Sequence, residues 1–244
     1  MTVIVVSGTG TEIGKTVTTA AVAALALAQG RSVAMLKPAQ TGVAPGEPGD
    51  AGEVTRLAGE AITTLELARF PEPLAPDTAA RRAGMAQVRA HEVAEAATKL
   101  AASHDLVLVE GAGGLLVRYD DEGTTLADAA RLLGAPVLVV ASAGLGTLNT
   151  TTLTSEALRA RGLTPLGVVI GCWPSTPDLA SRCNLADLPK AAGTQLLGAI
   201  PEGSGALSPA DFRSRAGSWM GPELGGVWNS EAFGGREGPE GARS

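Results

Sequence analysis

One stretch constrains this chain more than any other. The apolar run Val3-Ile4-Val5-Val6 passes into Ser7-Gly8-Thr9-Gly10-Thr11-Glu12-Ile13-Gly14-Lys15-Thr16, after which helical periodicity begins. A buried strand, a glycine-rich turn and a helix in that order make a phosphate-binding loop. Small residues let backbone N–H groups converge on phosphate oxygens, and the helix adds its N-terminal donors and dipole. The spacing Gly-x-x-x-x-Gly-Lys-Thr needs glycine at position 9, where this chain has Thr9 with Gly8 one place earlier. The loop is therefore one residue longer than the common form. Lys15 is suited to β- and γ-phosphates and the Thr16 hydroxyl to Mg²⁺. Residues 10–17 (Gly10, Thr11, Glu12, Ile13, Gly14, Lys15, Thr16 and Val17) are the expected nucleotide-binding segment.

The remaining apolar runs share one character. Strands are expected at 32–36, 106–109, 136–141, 165–170 and 195–200. Helices are expected at 15–29, 50–57, 85–103, 125–133, 150–161 and 178–188. Uninterrupted apolar strands alternating with helices predict a doubly wound α/β fold, with a mainly parallel sheet covered by helices on both faces. Residues 43–50 read as a mobile loop, and 61–77, broken by Pro71, Pro73 and Pro76, as an irregular surface excursion. Residues 1–220 are expected to form one domain, and the glycine-rich 221–244 a loosely ordered tail.

Composition narrows the function. The 244 residues carry a net charge of −6 and no Lys/Arg cluster, which argues against a nucleic-acid partner. Two cysteines, Cys172 and Cys183, lack a second pair at metal-ligand spacing and point to a reducing compartment. The N-terminal run is strand-length without a preceding basic region, so neither a leader nor a membrane span is expected, and the chain reads as cytoplasmic.

In doubly wound sheets, ligands sit beyond the carboxyl ends of the strands. The polar clusters of this chain fall there. Lys37 precedes the rigid Pro38 and can balance phosphate charge. Glu110 ends a buried strand, and Asp50 opens a helix either as a metal ligand or as an ordinary cap. Glu12, inside the loop, can orient Lys15 or Lys37. The serines at strand ends have no histidine nearby for a nucleophilic triad.

Taken together, the extended loop through Thr16, Lys37-Pro38-Ala39-Gln40-Thr41-Gly42, Glu110-Gly111-Ala112-Gly113-Gly114-Leu115, Leu145-Gly146-Thr147-Leu148-Asn149 and Gly171-Cys172-Trp173-Pro174 resemble the dethiobiotin synthetases. That family has a P-loop NTPase-like fold, and the resemblance covers about residues 1–205 of this sequence. It implies ATP- and Mg²⁺-dependent ligation of CO₂ to 7,8-diaminopelargonate, giving a cyclic urea, ADP and phosphate. One amine captures CO₂ as a carbamate, whose oxygen attacks the γ-phosphoryl group before the second amine closes the ring. By the same resemblance, Lys37, Lys15, Thr11 and Glu12 are the catalytic set. Thr16, Asp50 and Glu110 hold the metal. Thr11, Lys37, Thr41, Gly111 and Ala112 border the diamine. The family is typically homodimeric, and 145–149 (Leu145, Gly146, Thr147, Leu148, Asn149) would receive the substrate's carboxylate across the subunit boundary. Gly171, Cys172 and Trp173 with Pro201, Glu202 and Gly203 match its nucleotide-base loops. Many relatives carry an amide where Cys172 or Trp173 stands, which leaves the choice of nucleoside triphosphate open.

Two other functions share the core. A cobyrinate-type amidoligase needs a glutamine-hydrolysing domain with its own cysteine, and both cysteines here lie late. A deviant-Walker switch ATPase carries a second lysine early in the loop, where this chain has Gly10.

Overall fold

The computed structural model describes residues 2–230 and 233. Seven parallel strands form one sheet: β1 (Thr2–Gly8), β2 (Val33–Thr41), β3 (Thr63–Phe70), β4 (Leu106–Glu110), β5 (Val137–Ala141), β6 (Pro165–Trp173) and β7 (Leu196–Pro201). Their order is β3-β2-β4-β1-β5-β6-β7. The chain runs from β1 to one side, returns to insert β4 beside β1, then continues from β5 on the other side. β4 and β5 are buried along their whole length, as their unbroken apolar runs require. The doubly wound α/β expectation therefore holds.

One apolar cluster packs α1 (Lys15–Ala28), α2 (Asp50–Ala58) and α8 (Pro209–Arg215) on one sheet face. The other face is covered by α3 (Pro76–Ala83), α4 (Ala90–Ala101), α5 (Leu126–Leu133), α6 (Thr147–Arg159) and α7 (Leu179–Ala192). The elements mostly fall where the periodicity puts them, with five corrections. The 61–77 stretch is not an irregular excursion. It contains β3, an edge strand that pairs only with β2 and is mostly exposed or half-buried, so it lacks the apolar run of the central strands. β2 does not stop at residue 36 but continues to Thr41, because β3 keeps pairing with it after β4 has ended opposite Leu36. Pro38 is skipped in the β2–β3 register, which suits a residue without an N–H.

The helix expected at 85–103 starts later, at Ala90, where Glu92 Oε2 accepts the Arg89 N–H at 2.8 Å. The helix expected at 150 starts earlier, so Thr147, Leu148 and Asn149 form its first turn.

The expected loose tail is corrected over 221–228. Leu224 and Trp228 are buried in the core. The Trp228 N–H donates to Met220 O at 2.8 Å, and the Ala199 N–H to Trp219 O at 3.0 Å. Residues 219–221 pair with the outer edge of β7, with the Gly221 N–H donating to Leu197 O at 2.7 Å, and Trp228 ties the following segment back onto them. The rest of the expected tail, apart from 229, 230 and 233, lies outside the described residues.

Candidate active site

The carboxyl ends of β1, β2 and β4 open into a cavity of about 750 Å³. Thr11, Glu12, Gly14, Lys15, Thr16, Val17, Lys37, Thr41, Asp50, Glu110, Gly111 and Ala112 all line it. Those residues come from four separate stretches of sequence, and the topology brings them together because β4 lies between β1 and β2.

The phosphate loop holds its shape by backbone geometry. Glu12 takes a positive φ of 55°, a conformation that non-glycine residues rarely adopt. Gly14, at φ 88°, lies so close to β6 that a Cβ there would sit 2.1 Å from Gly171 O. No other residue fits. Lys15 Nζ donates to Gly10 O at 2.7 Å across the loop. Burial lowers the Lys15 pKa, and nearby Lys37 lowers it further.

Glu110 is fully buried at the end of β4 and is not a simple turn cap. Its Oε1 accepts from Thr16 Oγ1 at 2.9 Å and from Lys37 Nζ at 3.0 Å, while its Oε2 accepts from Thr19 Oγ1 at 2.6 Å. Lys37 is also ion-paired with Asp50 and donates to Gly111 O at 3.2 Å. Burial alone would lower its pKa, but the carboxylates of Glu110 and Asp50 outweigh that and raise it. Lys37 is thus a fixed cation. Asp50 is the first residue of α2, with Gly49 at the cap position, and its carboxylate serves Lys37 and not the helix end.

The Thr16 hydroxyl and the carboxylates of Glu110 and Asp50 are all oxygen donors beside the loop, a set that suits a hard cation sharing its shell with phosphate oxygens. Among the described residues, no three of His, Cys, Asp and Glu gather into a metal cluster by themselves.

The other expected residues lie apart from this cavity. Gly10 and Ile13 belong to the loop without lining the cavity, and Ile13 packs beneath Gly8. Gly171 supports Gly14 directly. The two loops expected to meet a nucleotide base are tied together: the Glu202 N–H donates to Trp173 O at 2.7 Å, and Glu202 Oε2 accepts from the Ser175 N–H at 3.0 Å and its hydroxyl at 3.1 Å. Gly203 and Pro201 flank that contact, and Gly205 packs against Val17.

Within the first of these loops the Trp173 indole is buried in the core and meets Phe233 edge-on at 5.3 Å, which leaves its backbone as the part that faces the loop. Cys172 is the exposed member of the pair, and partial burial together with the Glu202 charge keeps its thiol above the usual range.

Leu145, Gly146, Thr147, Leu148 and Asn149 do not line the cavity; Leu145 is 93% exposed and Asn149 also faces solvent.

Three polar residues of this region escape a reading by motif. Thr19 follows Thr16 by three places and shares its helix face, the one signal that could have found it. Gln40 is buried and lines the cavity. Asn184 on α7 donates to Ala143 O at 2.7 Å and Gly144 O at 3.2 Å, fixing the loop before α6, and nothing in its sequence neighbourhood signals this.

Residues 2–208 match the family model described as an AAA domain. The chain is 72% identical to the ATP-dependent dethiobiotin synthetase BioD of Streptomyces avermitilis, over 96% of this chain and 98% of that protein. The chain belongs to the ATP-dependent dethiobiotin synthetase family. The Streptomyces coelicolor protein of the same name is 69% identical, over 98% of this chain and all of that protein.

Solved structures share the fold of this chain. A ParA family ATPase from Chlorobium tepidum aligns with TM-score 0.57 at 12% identity, over 92% of this chain and 94% of that one. The septum site-determining protein MinD of Pyrococcus horikoshii, complexed with Mg-ADP, aligns with TM-score 0.56 at 16% identity over the same shares. These likenesses show the fold alone. The switch-ATPase alternative shares that fold, but the high identity lies with the synthetases.

No helix among the described residues is long and apolar enough to cross a membrane.

Proposed function

We propose that this protein is an ATP-dependent dethiobiotin synthetase that joins CO₂ to 7,8-diaminopelargonate in a cytoplasmic, Mg²⁺-dependent reaction. The observation that carries the reading is Lys37, a second buried cation beside the phosphate loop, held between Glu110 and Asp50. A nucleotide-binding switch needs the loop alone. Phosphoryl transfer to a bound acceptor also needs fixed positive charge where the acceptor meets the γ-phosphorus.

One amine of the diamine attacks CO₂ and loses a proton, leaving a carbamate. Lys37 and Thr11 stabilise that anion, and Thr41 with the Gly111-Ala112 turn orients the diamine. A carbamate oxygen then attacks the γ-phosphorus, and ADP departs with the bond electrons. Lys15 and Lys37 offset the charge that spreads over the transferring group, with Glu12 shaping the loop around it. The second amine attacks the anhydride carbon and gives up a proton, phosphate leaves with the bond electrons and can take that proton, and the cyclic urea remains. Thr16, Glu110 and Asp50 would hold Mg²⁺, which when bound neutralises phosphate charge.

The base loops at 171–173 and 201–203 hold the nucleoside, with Cys172 as the side chain that can face it and Trp173 serving from the core. The exposed Leu145 and the first turn of α6, with Asn149 beside the helix N-terminus, suit a carboxylate tail approaching from a second copy in a homodimer. Residues 1–220, together with the packed segment 221–228, act as one catalytic domain. No nucleic acid or membrane partner enters this reading.

The test combines ATP, Mg²⁺ and bicarbonate with purified protein, with and without the diamine, while following phosphate release and product mass. Diamine-dependent release with dethiobiotin is expected. Equal release without the diamine, and no product, would overturn the assignment.

A further inference from the structure

Asp50 reaches Lys37 from the start of α2, and its side chain takes no hold on that helix. Its carboxylate is one-third exposed and makes no capping bond to its own helix. The segment between β2 and α2 is rich in Pro and Gly, and it is tied down from β2 and β3.

Two side chains supply these ties. Gln40, 4% exposed on the extension of β2, accepts the Asp50 N–H on Oε1 at 2.8 Å. Arg69 on the edge strand β3 donates through Nη1 to Glu47 O at 2.7 Å and Ala44 O at 3.4 Å, so it grips the incoming loop. Arg69 is itself locked by Glu66, with Nη2 to Oε1 at 2.7 Å and Nε to Oε2 at 2.9 Å. Gly49 is wedged between them. A Cβ on it would lie 2.7 Å from Gln40 Oε1 and 2.9 Å from Arg69 Nη2.

We propose that Gln40 and Arg69 are positioning residues that set Asp50 against Lys37, so that its carboxylate is in place before nucleotide and cation arrive. The consequence for the cation rests on the proposed function, in which Asp50 helps to hold Mg²⁺. Partners that orient a ligating carboxylate typically contribute about 10–100-fold to metal affinity or activity.

Gln40→Leu removes the acceptor at similar volume. Gln40→Glu keeps it, and adjacent Arg69 offsets the added charge. Arg69→Met releases the loop without touching the Asp50 N–H.

Hydrogen exchange on the metal-free protein reads the clasp itself. With its one acceptor removed, the Asp50 amide is expected to exchange about ten-fold faster in Gln40→Leu and at the native rate in Gln40→Glu. Mn²⁺ binding with ADP, followed by electron paramagnetic resonance, reads the consequence without turnover. It is expected to weaken about ten-fold in Gln40→Leu and in Arg69→Met, and to recover in Gln40→Glu.

Native exchange and native Mn²⁺ affinity in Gln40→Leu would overturn the proposal, as would a Gln40→Glu protein as weak as Gln40→Leu. Should Gln40→Leu fail to fold, Arg69→Met decides, and native Mn²⁺ affinity there counts against the clasp. Fast exchange with unchanged Mn²⁺ affinity would place Asp50 outside the cation site and overturn the proposed consequence. A wild-type protein that makes no dethiobiotin would contradict the proposed function and leave the exchange result standing.

Discussion

Lys37→Met separates the charge argument from general damage to the core. Lys37 and Glu110 are 3% and 1% exposed at their side chains, so the substitution leaves a carboxylate with neither its cation nor water. Breaking a buried pair by removing one partner costs about 3–5 kcal/mol. The lower end applies here, because Glu110 keeps the hydroxyls of Thr16 and Thr19, and Asp50 is exposed enough to turn toward solvent. A loss of about 3 kcal/mol corresponds to a fall of roughly 6–12 °C in thermal midpoint for a chain of this size. Turnover should fall about a thousandfold, the scale of losing a fixed cation at a transferring phosphoryl group. Urea unfolding and dethiobiotin formation measure the two effects. Lys37→Met/Glu110→Gln removes the orphaned charge and should regain more than half the lost stability while staying inactive. A single variant losing less than about 1 kcal/mol, or a double variant no more stable than the single, would refute the reasoning.

Further expectations test other parts of the account. Tyr119 is the one tyrosine in the sequence, and burial pushes its phenol up to about 12. Ultraviolet titration should show no phenolate near pH 10, and stability should fall as pH rises from about 10 to 12, because the folded protein holds the proton that the unfolded chain releases; phenolate absorbance appearing near 10 would contradict the burial. For Lys15 the sign reverses. Its folded pKa is lowered, so wild type should gain stability relative to Lys15→Met as pH rises from that lowered value to about 10.4, where the unfolded lysine also loses its proton. A difference that is flat across that window in thermal melts would remove the electrostatic cost. Trp228→Ala should cost about 3–5 kcal/mol in urea unfolding, since the indole fills the core beside β7; a loss below about 1 kcal/mol would mean the segment is not holding the edge.

The sheet was legible where its strands are buried on both faces, because apolar runs such as Leu106-Val107-Leu108-Val109 admit few other structures. β3 was not legible, since an edge strand with one neighbour tolerates Thr63, Thr64, Glu66 and Arg69 and so looks like loop. That miss hid the extension of β2 as well, and with it the role of Gln40. Trp228 was overlooked for a related reason: glycine density suggests disorder, but one buried indole anchors several residues around it.

The loop, Lys37, Asp50 and Glu110 could be named as candidates because each stands at a strand end or helix start with chemistry that needs a partner. Their mutual arrangement could not, because it depends on β4 lying between β1 and β2. Trp173 illustrates the limit of position alone, since a loop residue can turn its side chain into the core.

The central claim is that a carbamate oxygen, and not water, attacks the γ-phosphoryl group. The direct measurement supplies freshly prepared bicarbonate labelled with heavy oxygen, together with diamine, ATP and Mg²⁺, and determines the isotope content of the released phosphate at short times. The account predicts that the label passes from the bicarbonate into phosphate in step with dethiobiotin formation. Phosphate that stays unlabelled while labelled bicarbonate is present and product accumulates would contradict it.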